Sequence, residues 1–255
     1  MSKYVDLLFI QGWSVSEEFY ADWLHGLSKE LMSNRSIKIV ACPERGDIRW
    51  LEHLAKEYVS PNTVIIGWSL GGMLAIKLAA YLEGANKPYD RLVTLMSSPK
   101  FVESTDFQCG MKRQDFADFV SSISDDRAIV KTFPFLCIKG APKQSSLLKR
   151  VREQYDLCLL EESNRRQSLK LLGELDVQEE LADLTQSALM IFGDQDVLVK
   201  QSCALEIKSQ FTHHKSVIID GVAHFPFVDS VGQVLVSELS DLKAAVQDVQ
   251  SKCSE

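Results

Sequence analysis

Thr63-Val64-Ile65-Ile66 runs into Gly67-Trp68-Ser69-Leu70-Gly71, and Gly72-Met73-Leu74-Ala75-Ile76-Lys77-Leu78-Ala79-Ala80 follows. The first segment is a β-branched apolar run of strand length, and the last is rich in good helix formers. The five residues between them match Gly-x-Ser-x-Gly, a sharp strand-to-helix turn. Such a turn forces its central residue into strained backbone geometry, and the flanking glycines, lacking Cβ atoms, let strand and helix approach. The Ser69 hydroxyl then stands at the tip, beside the helix N-terminus. A bare match is a weak signal, and the strand before and helix after give it mechanical meaning. The bland alternative is a glycine-rich turn with a bystander serine.

A serine hydroxyl is a poor nucleophile at neutral pH; it needs a base, and the base needs an orienting acid. On a turn of this kind the acid and then the histidine follow in the chain, each just past a strand. Ala188-Leu189-Met190-Ile191-Phe192 is an apolar run ending at Gly193-Asp194-Gln195-Asp196, and Lys215-Ser216-Val217-Ile218-Ile219 leads to Asp220-Gly221-Val222-Ala223-His224. His224 is therefore the expected base. His25 and His53 precede the serine, and His213 and His214 precede their strand, at the wrong end of a sheet. Asp194 and Asp196 both qualify as the acid on residues alone, one to orient the histidine and the other to cap the loop, with Asp196 preferred. An oxyanion forming on Ser69 needs two N–H donors, one of them from Leu70, the residue after the nucleophile.

These segments resemble the α/β-hydrolase superfamily and, within it, the pimeloyl-acyl-carrier-protein methyl ester esterases of biotin synthesis. The resemblance rests on Leu8-Phe9-Ile10-Gln11-Gly12-Trp13, Gly67-Trp68-Ser69-Leu70-Gly71-Gly72, Ser97-Ser98-Pro99-Lys100-Phe101, Ser124-Asp125-Asp126, Leu175-Asp176-Val177, Gly193-Asp194-Gln195-Asp196-Val197-Leu198-Val199 and Ala223-His224-Phe225-Pro226-Phe227. It implies a serine esterase with Ser69, Asp196 and His224 as catalytic residues. It selects Asp196, three residues after the strand-ending Gly193, and places the second oxyanion donor at Trp13. Trp13, Trp68, Phe133 and Phe227 are candidates for an apolar acyl pocket, with core packing as the alternative. Two stretches depart from the family pattern. Gln11-Gly12 stands where the family has His-Gly, and Cys42-Pro43-Glu44-Arg45-Gly46-Asp47 replaces an Asp-x-Pro-Gly-x-Gly turn.

Strand-like runs recur at 5–10, 37–42, 63–66, 91–96, 188–192 and 216–219, with helix-like segments at 17–32, 49–58, 72–82 and 201–210. Alternating β and α predicts an α/β fold with a mostly parallel sheet of about six strands and helices on both faces. The chain begins at its first parallel strand, so the antiparallel strands that often open this fold are expected to be missing. Residues 103–184 are charged and helix-compatible, too long for one crossover. They are expected to form a helical cap inserted in a core of 1–102 and 185–255, covering the site and excluding water.

At 255 residues, with 45% hydrophobic and 25% charged residues, the chain has the composition of a globular protein with one sizeable core. A net charge of −7 argues against general nucleic-acid binding. No cofactor motif or metal-ligand cluster stands out. Six cysteines without a CxxC pair, and no secretory h-region, predict reduced thiols in a cytoplasmic protein without a membrane segment. Against the acidic whole, Arg127, Lys131, Lys139, Lys143, Lys149, Arg150 and Arg152 form a run with no acidic residue between them. Such a face attracts an acidic partner. By the resemblance this is an acyl carrier protein bearing the acyl ester, docked on Arg127, Lys131, Lys149, Arg150 and Arg152; a solvated helix face is the alternative. The chain is expected to be a monomer or weak oligomer. A generalist short-chain carboxylesterase or thioesterase, or a non-catalytic binding protein on the same fold, are the competing functional readings.

Overall fold

A computed structural model describes residues 6–15, 17–31, 36–123, 126–142, 144–156 and 162–239. Six strands form one parallel sheet: β1 (Leu7–Ile10), β2 (Ile37–Val40), β3 (Val64–Trp68), β4 (Arg91–Leu95), β5 (Leu189–Gly193) and β6 (Lys215–Ile219), in the order β2-β1-β3-β4-β5-β6. Every residue of β1, β3 and β5 is buried, whereas the two edge strands β2 and β6 are only partly covered. Strands buried on both faces read as continuous apolar runs rather than alternations, which is how these segments stand in the sequence.

The connections are helical: α1 (Ala21–Leu31) after β1, α2 (Ile48–Glu57) after β2, α3 (Leu70–Gly84) after β3 and α9 (Gln201–Gln210) after β5. Right-handed crossovers fix their faces. The step from β1 to β2 runs in one direction along the sheet, and the steps through α2, α3 and α9 run in the other. So α1 lies on one face and α2, α3 and α9 on the opposite one. A final helix over 229–239 (α10) joins α1, where the Trp23 indole donates to the Val228 carbonyl at 3.2 Å. Ten of the fifteen residues of α3 are buried, because it is wedged between the sheet and both α2 and α8 (Gln178–Asp183). No helix among the described residues is long and apolar enough to cross a membrane.

Between β4 and β5 the chain leaves the sheet and forms α4 (Arg113–Ser122), α5 (Asp126–Ile138), α6 (Gln144–Asp156) and α7 (Glu162–Glu174) before α8. The two ends of this excursion are tied together. Lys100 and Asp176 form an antiparallel bridge and an ion pair at 2.6 Å, and Val177 N–H donates to the Pro99 carbonyl at 2.9 Å. The expected cap boundary at 184 takes in α8, yet α8 packs on α3 and so lies on the core side of this neck. Ser124, Asp125, Lys143, Cys158 and Cys253 lie outside the described residues.

Candidate active site

Parallel pairing lines up the C-terminal ends of the strands. Ile10 lies opposite Gly67, and Gly193 opposite Ile219. The loops after β1, β3, β5 and β6 therefore rise side by side, where ligands bind in open parallel sheets. Two glycines set the spacing. A Cβ on Gly71 would run into the carbonyl oxygens of Ile10 and Gln11, and one on Gly67 into the Gly71 carbonyl. Only hydrogen at these positions lets the start of α3 sit against the β1 loop.

Ser69 occupies the turn with φ 54° and ψ −122°, a conformation that costs about 1–3 kcal/mol for a non-glycine residue. The surroundings hold it there: Ser69 N–H donates to the Leu95 carbonyl at 2.9 Å, and the Ser69 carbonyl accepts from Ser97 Oγ at 2.7 Å and Gly72 N–H at 2.8 Å. The side chain is partly exposed, and its Oγ lies 3.0 Å from His224 Nε2. His224 is buried, with Nδ1 2.8 Å from Asp196 Oδ2. The other oxygen, Asp196 Oδ1, accepts the main-chain N–H groups of Leu198 at 2.8 Å and Val199 at 2.9 Å. A carboxylate fixed this way is an acceptor only, so the proton on the imidazole belongs at Nδ1 and the Nε2 lone pair faces the serine. Asp194 takes a different post: its Oδ1 accepts Gly221 N–H at 2.7 Å and shapes the turn that leads to His224.

Leu70 opens α3, where the first N–H groups of a helix have no partner within it. Trp13 follows β1 on the neighbouring loop. Its indole N–H donates to the Arg165 carbonyl of α7 at 2.8 Å, and its ring meets Phe133 of α5 edge-on at 4.9 Å and Phe119 of α4 at 5.9 Å. Ser14, next along, shares a hydrogen bond of 2.9 Å with the Tyr155 hydroxyl of α6. All four helices of the excursion therefore touch the loop that carries Trp13 and Ser14.

The four aromatic residues expected in one pocket divide into two groups. Trp13 and Phe133 pack together under the excursion. Trp68 and Phe227 do not join them; they meet each other at 5.0 Å, and Trp68 stacks on Phe19, in a cluster behind His224. Trp68 has no exposed surface, and its indole N–H donates to the His224 carbonyl at 3.0 Å. It holds the histidine loop from below. That hook, the Ser97 hydroxyl and the bond from Phe225 N–H to the Cys137 carbonyl (2.8 Å) have no signal in the sequence, because each joins residues far apart in the chain. Gln11 is buried, and its amide oxygen accepts the Tyr20 hydroxyl at 2.5 Å.

Of the basic residues, Lys131, Lys149 and Arg150 are exposed, and Lys149 makes a 3.9 Å ion pair with Glu153. Arg152 is half-buried and turns inward, donating to the Lys131 carbonyl at 3.1 Å. The Arg150 guanidinium lies 5.7 Å over the Phe225 ring, next to His224. The Arg127 side chain lies outside what the structure describes.

A parallel α/β sheet with a strained serine turn between its central strand and the following helix defines the α/β hydrolase class. The chain belongs to the alpha/beta hydrolase family, whose model matches residues 16–237. Among its relatives, the biotin biosynthesis bifunctional protein BioHC of Cellvibrio japonicus is 29% identical over 251 residues, 95% of this chain. The chain spans only 47% of that longer protein. The pimeloyl-[acyl-carrier protein] methyl ester esterase of Yersinia enterocolitica is 27% identical over 235 residues, covering 88% of this chain and 87% of the relative. Among solved structures, an esterase from Exiguobacterium antarcticum superposes with a TM-score of 0.71 at 17% identity, covering 94% of this chain and 93% of that one. At that identity the likeness shows the fold alone.

Proposed function

We propose that the chain is a serine carboxylesterase that cleaves the methyl ester of a pimeloyl group carried on an acyl carrier protein, releasing methanol and the free acid. The observation that carries the chemistry is the continuous line Ser69 Oγ–His224 Nε2, 3.0 Å, and His224 Nδ1–Asp196 Oδ2, 2.8 Å, on a strained turn. The relatives' names supply the substrate.

Ser69 Oγ attacks the ester carbonyl as its proton passes to His224 Nε2. Asp196 keeps the Nδ1 proton in place and stabilises the imidazolium. The main-chain N–H groups of Leu70 and Trp13 receive the oxyanion. The C–O bond to the alcohol breaks, and methanol leaves with the proton from His224. A water then gives its proton to His224 and attacks the acyl-enzyme, which collapses to the acid and free Ser69. Trp13 and Phe133 are nearly as buried as Trp68, so an acyl chain meets them only if the excursion shifts away.

A generalist short-chain carboxylesterase or thioesterase is the second reading. One observation favours it: Arg152, counted for carrier docking, is engaged inside the excursion. Methanol release from the carrier-bound ester decides, measured for wild type and Ser69→Ala beside a panel of p-nitrophenyl esters. Fast, serine-dependent demethylation supports the first reading. Turnover of small esters alone supports the second, and full activity in Ser69→Ala overturns both.

A further inference from the structure

Cys109 and Cys203 stand 94 positions apart, and their Sγ atoms lie 2.7 Å from one another. Two non-bonded sulfurs ordinarily keep farther apart, and a covalent pair sits at about 2.05 Å. Cys109 belongs to the loop that leads from β4 into α4. That loop is closed on itself by Glu103 N–H to the Met111 carbonyl (2.9 Å) and Met111 N–H to the Phe101 carbonyl (2.8 Å). Cys203 sits in the first turn of α9, directly after the loop that holds Asp196. The contact joins the base of the helical excursion to the segment carrying the acid.

The two thiols are not equivalent. Cys109 is half-buried and lines a cavity of about 460 Å³ together with Asp115, Lys139, Leu198 and Lys200. Small solutes reach it there. Asp118 lines the cavity as well, so two lysines and two carboxylates face the same space. Cys203 is buried, and its hydrogen bond with Cys109, reinforced by burial, pushes its thiol far up. Cys42 and Cys137 are also buried, and burial pushes both thiols up. Neither has another described cysteine in contact.

We propose that Cys109 and Cys203 form an oxidisable dithiol, closed to a disulfide by hydrogen peroxide, which fastens the helical excursion to the loop of Asp196. The Cys109 thiolate attacks one peroxide oxygen and the O–O bond breaks. Cys109 becomes a sulfenic acid, and the other oxygen leaves as water after taking a proton. Cys203 sulfur then attacks Cys109 sulfur, the S–O bond breaks, and the hydroxyl departs as a second water with the Cys203 proton. Two thiols lose two electrons and one peroxide gains them.

The test uses the full chain treated with equimolar hydrogen peroxide, trapped with N-ethylmaleimide and mapped by peptide mass spectrometry. The expected product has two fewer alkylatable thiols and a peptide pair joined through Cys109 and Cys203, reversed by dithiothreitol. Because the bond closes a long loop, the oxidised chain melts higher by at least about 5 °C, and Cys109→Ser shows no such rise. Should Cys109→Ser fail to fold, the wild-type peptide map alone decides. Cys109 found as sulfinic acid with Cys203 still alkylatable after unfolding would overturn the proposal. So would a bond between any other pair, or a rise in melting temperature that persists in Cys109→Ser.

Discussion

Replacing Asp196 by asparagine changes no heavy-atom position and tests the site at its most constrained point. The native carboxylate accepts three hydrogen bonds, two from the Leu198 and Val199 N–H groups and one from His224 Nδ1. An amide has one oxygen for those two sides. If the oxygen stays with Leu198 and Val199, the NH₂ points at His224 Nδ1 and donates to it. The imidazole proton must then move to Nε2, which no longer accepts from Ser69. If the amide turns over, its NH₂ faces two main-chain donors, at about 1–3 kcal/mol for each group left unpaired. The first orientation wins, and the wrong tautomer lowers kcat about ten-thousand-fold, or about 5 kcal/mol of transition-state stabilisation. Asp194→Asn is the matched control. Its oxygen can still accept Gly221 N–H, so kcat stays within about ten-fold of wild type. Steady-state hydrolysis of p-nitrophenyl butyrate, with melting temperatures to verify folding, measures both. Asp196→Asn retaining more than roughly a hundredth of wild-type kcat would refute the reasoning, as would Asp194→Asn losing as much as Asp196→Asn.

Trp68→Phe keeps one aromatic ring but removes the donor to the His224 carbonyl and leaves a gap in the core; the lost donor alone is expected to cost about 1–3 kcal/mol, and kcat to fall several-fold. An unchanged kcat in the folded variant, followed by circular dichroism and ester turnover, would reduce Trp68 to packing. Gly71→Ala puts a methyl group into the Ile10 and Gln11 carbonyls, backbone that cannot yield; it is expected to give no soluble folded protein, read from the soluble fraction after expression. His214 accepts Ala188 N–H at Nδ1 (3.1 Å), which leaves Nε2–H to donate to the Leu181 carbonyl (2.8 Å). Burial, with a smaller contribution from His213, lowers its proton affinity below the ordinary 6.5, so the native form is neutral. The unfolded chain then binds the extra proton. The stability held by this residue is complete above about pH 6.5 and declines as pH falls below it, by at most about 1.4 kcal/mol per pH unit. Urea midpoints on either side of that pH check the slope, which His214→Gln flattens.

The sheet was readable because its strands are buried on both faces. Val64-Ile65-Ile66 and Leu189-Met190-Ile191-Phe192 have no polar interruption, and a run of that kind has few other places to go. The serine turn was readable because glycine is required at Gly67 and Gly71 for steric reasons that any sequence must respect. Helix starts were less legible: α3 begins at Leu70 rather than Gly72, since the helix is launched by the turn itself and not by its propensities. Trp68 and Phe227 misled for a related reason. An aromatic residue beside a reactive one looks the same in sequence whether its ring faces a ligand or props the loop from behind. Contacts such as Trp68–His224, Ser97–Ser69 and Cys109–Cys203 depend on how loops after different strands converge. No local periodicity encodes that convergence.

The neck at Pro99–Lys100 and Asp176–Val177 has a consequence for how such a chain can change over time. Both ends of the helical excursion leave the sheet at one point and are fastened there. The sheet therefore senses the closure and hardly senses the length, because doubling a closed loop costs only about 0.6 kcal/mol. Covers of different size and lining can be exchanged above one unchanged set of Ser69, Asp196 and His224. Under the proposed function, substrate range can therefore change apart from those three residues, while the Trp13 loop, which all four helices touch, changes with the cover.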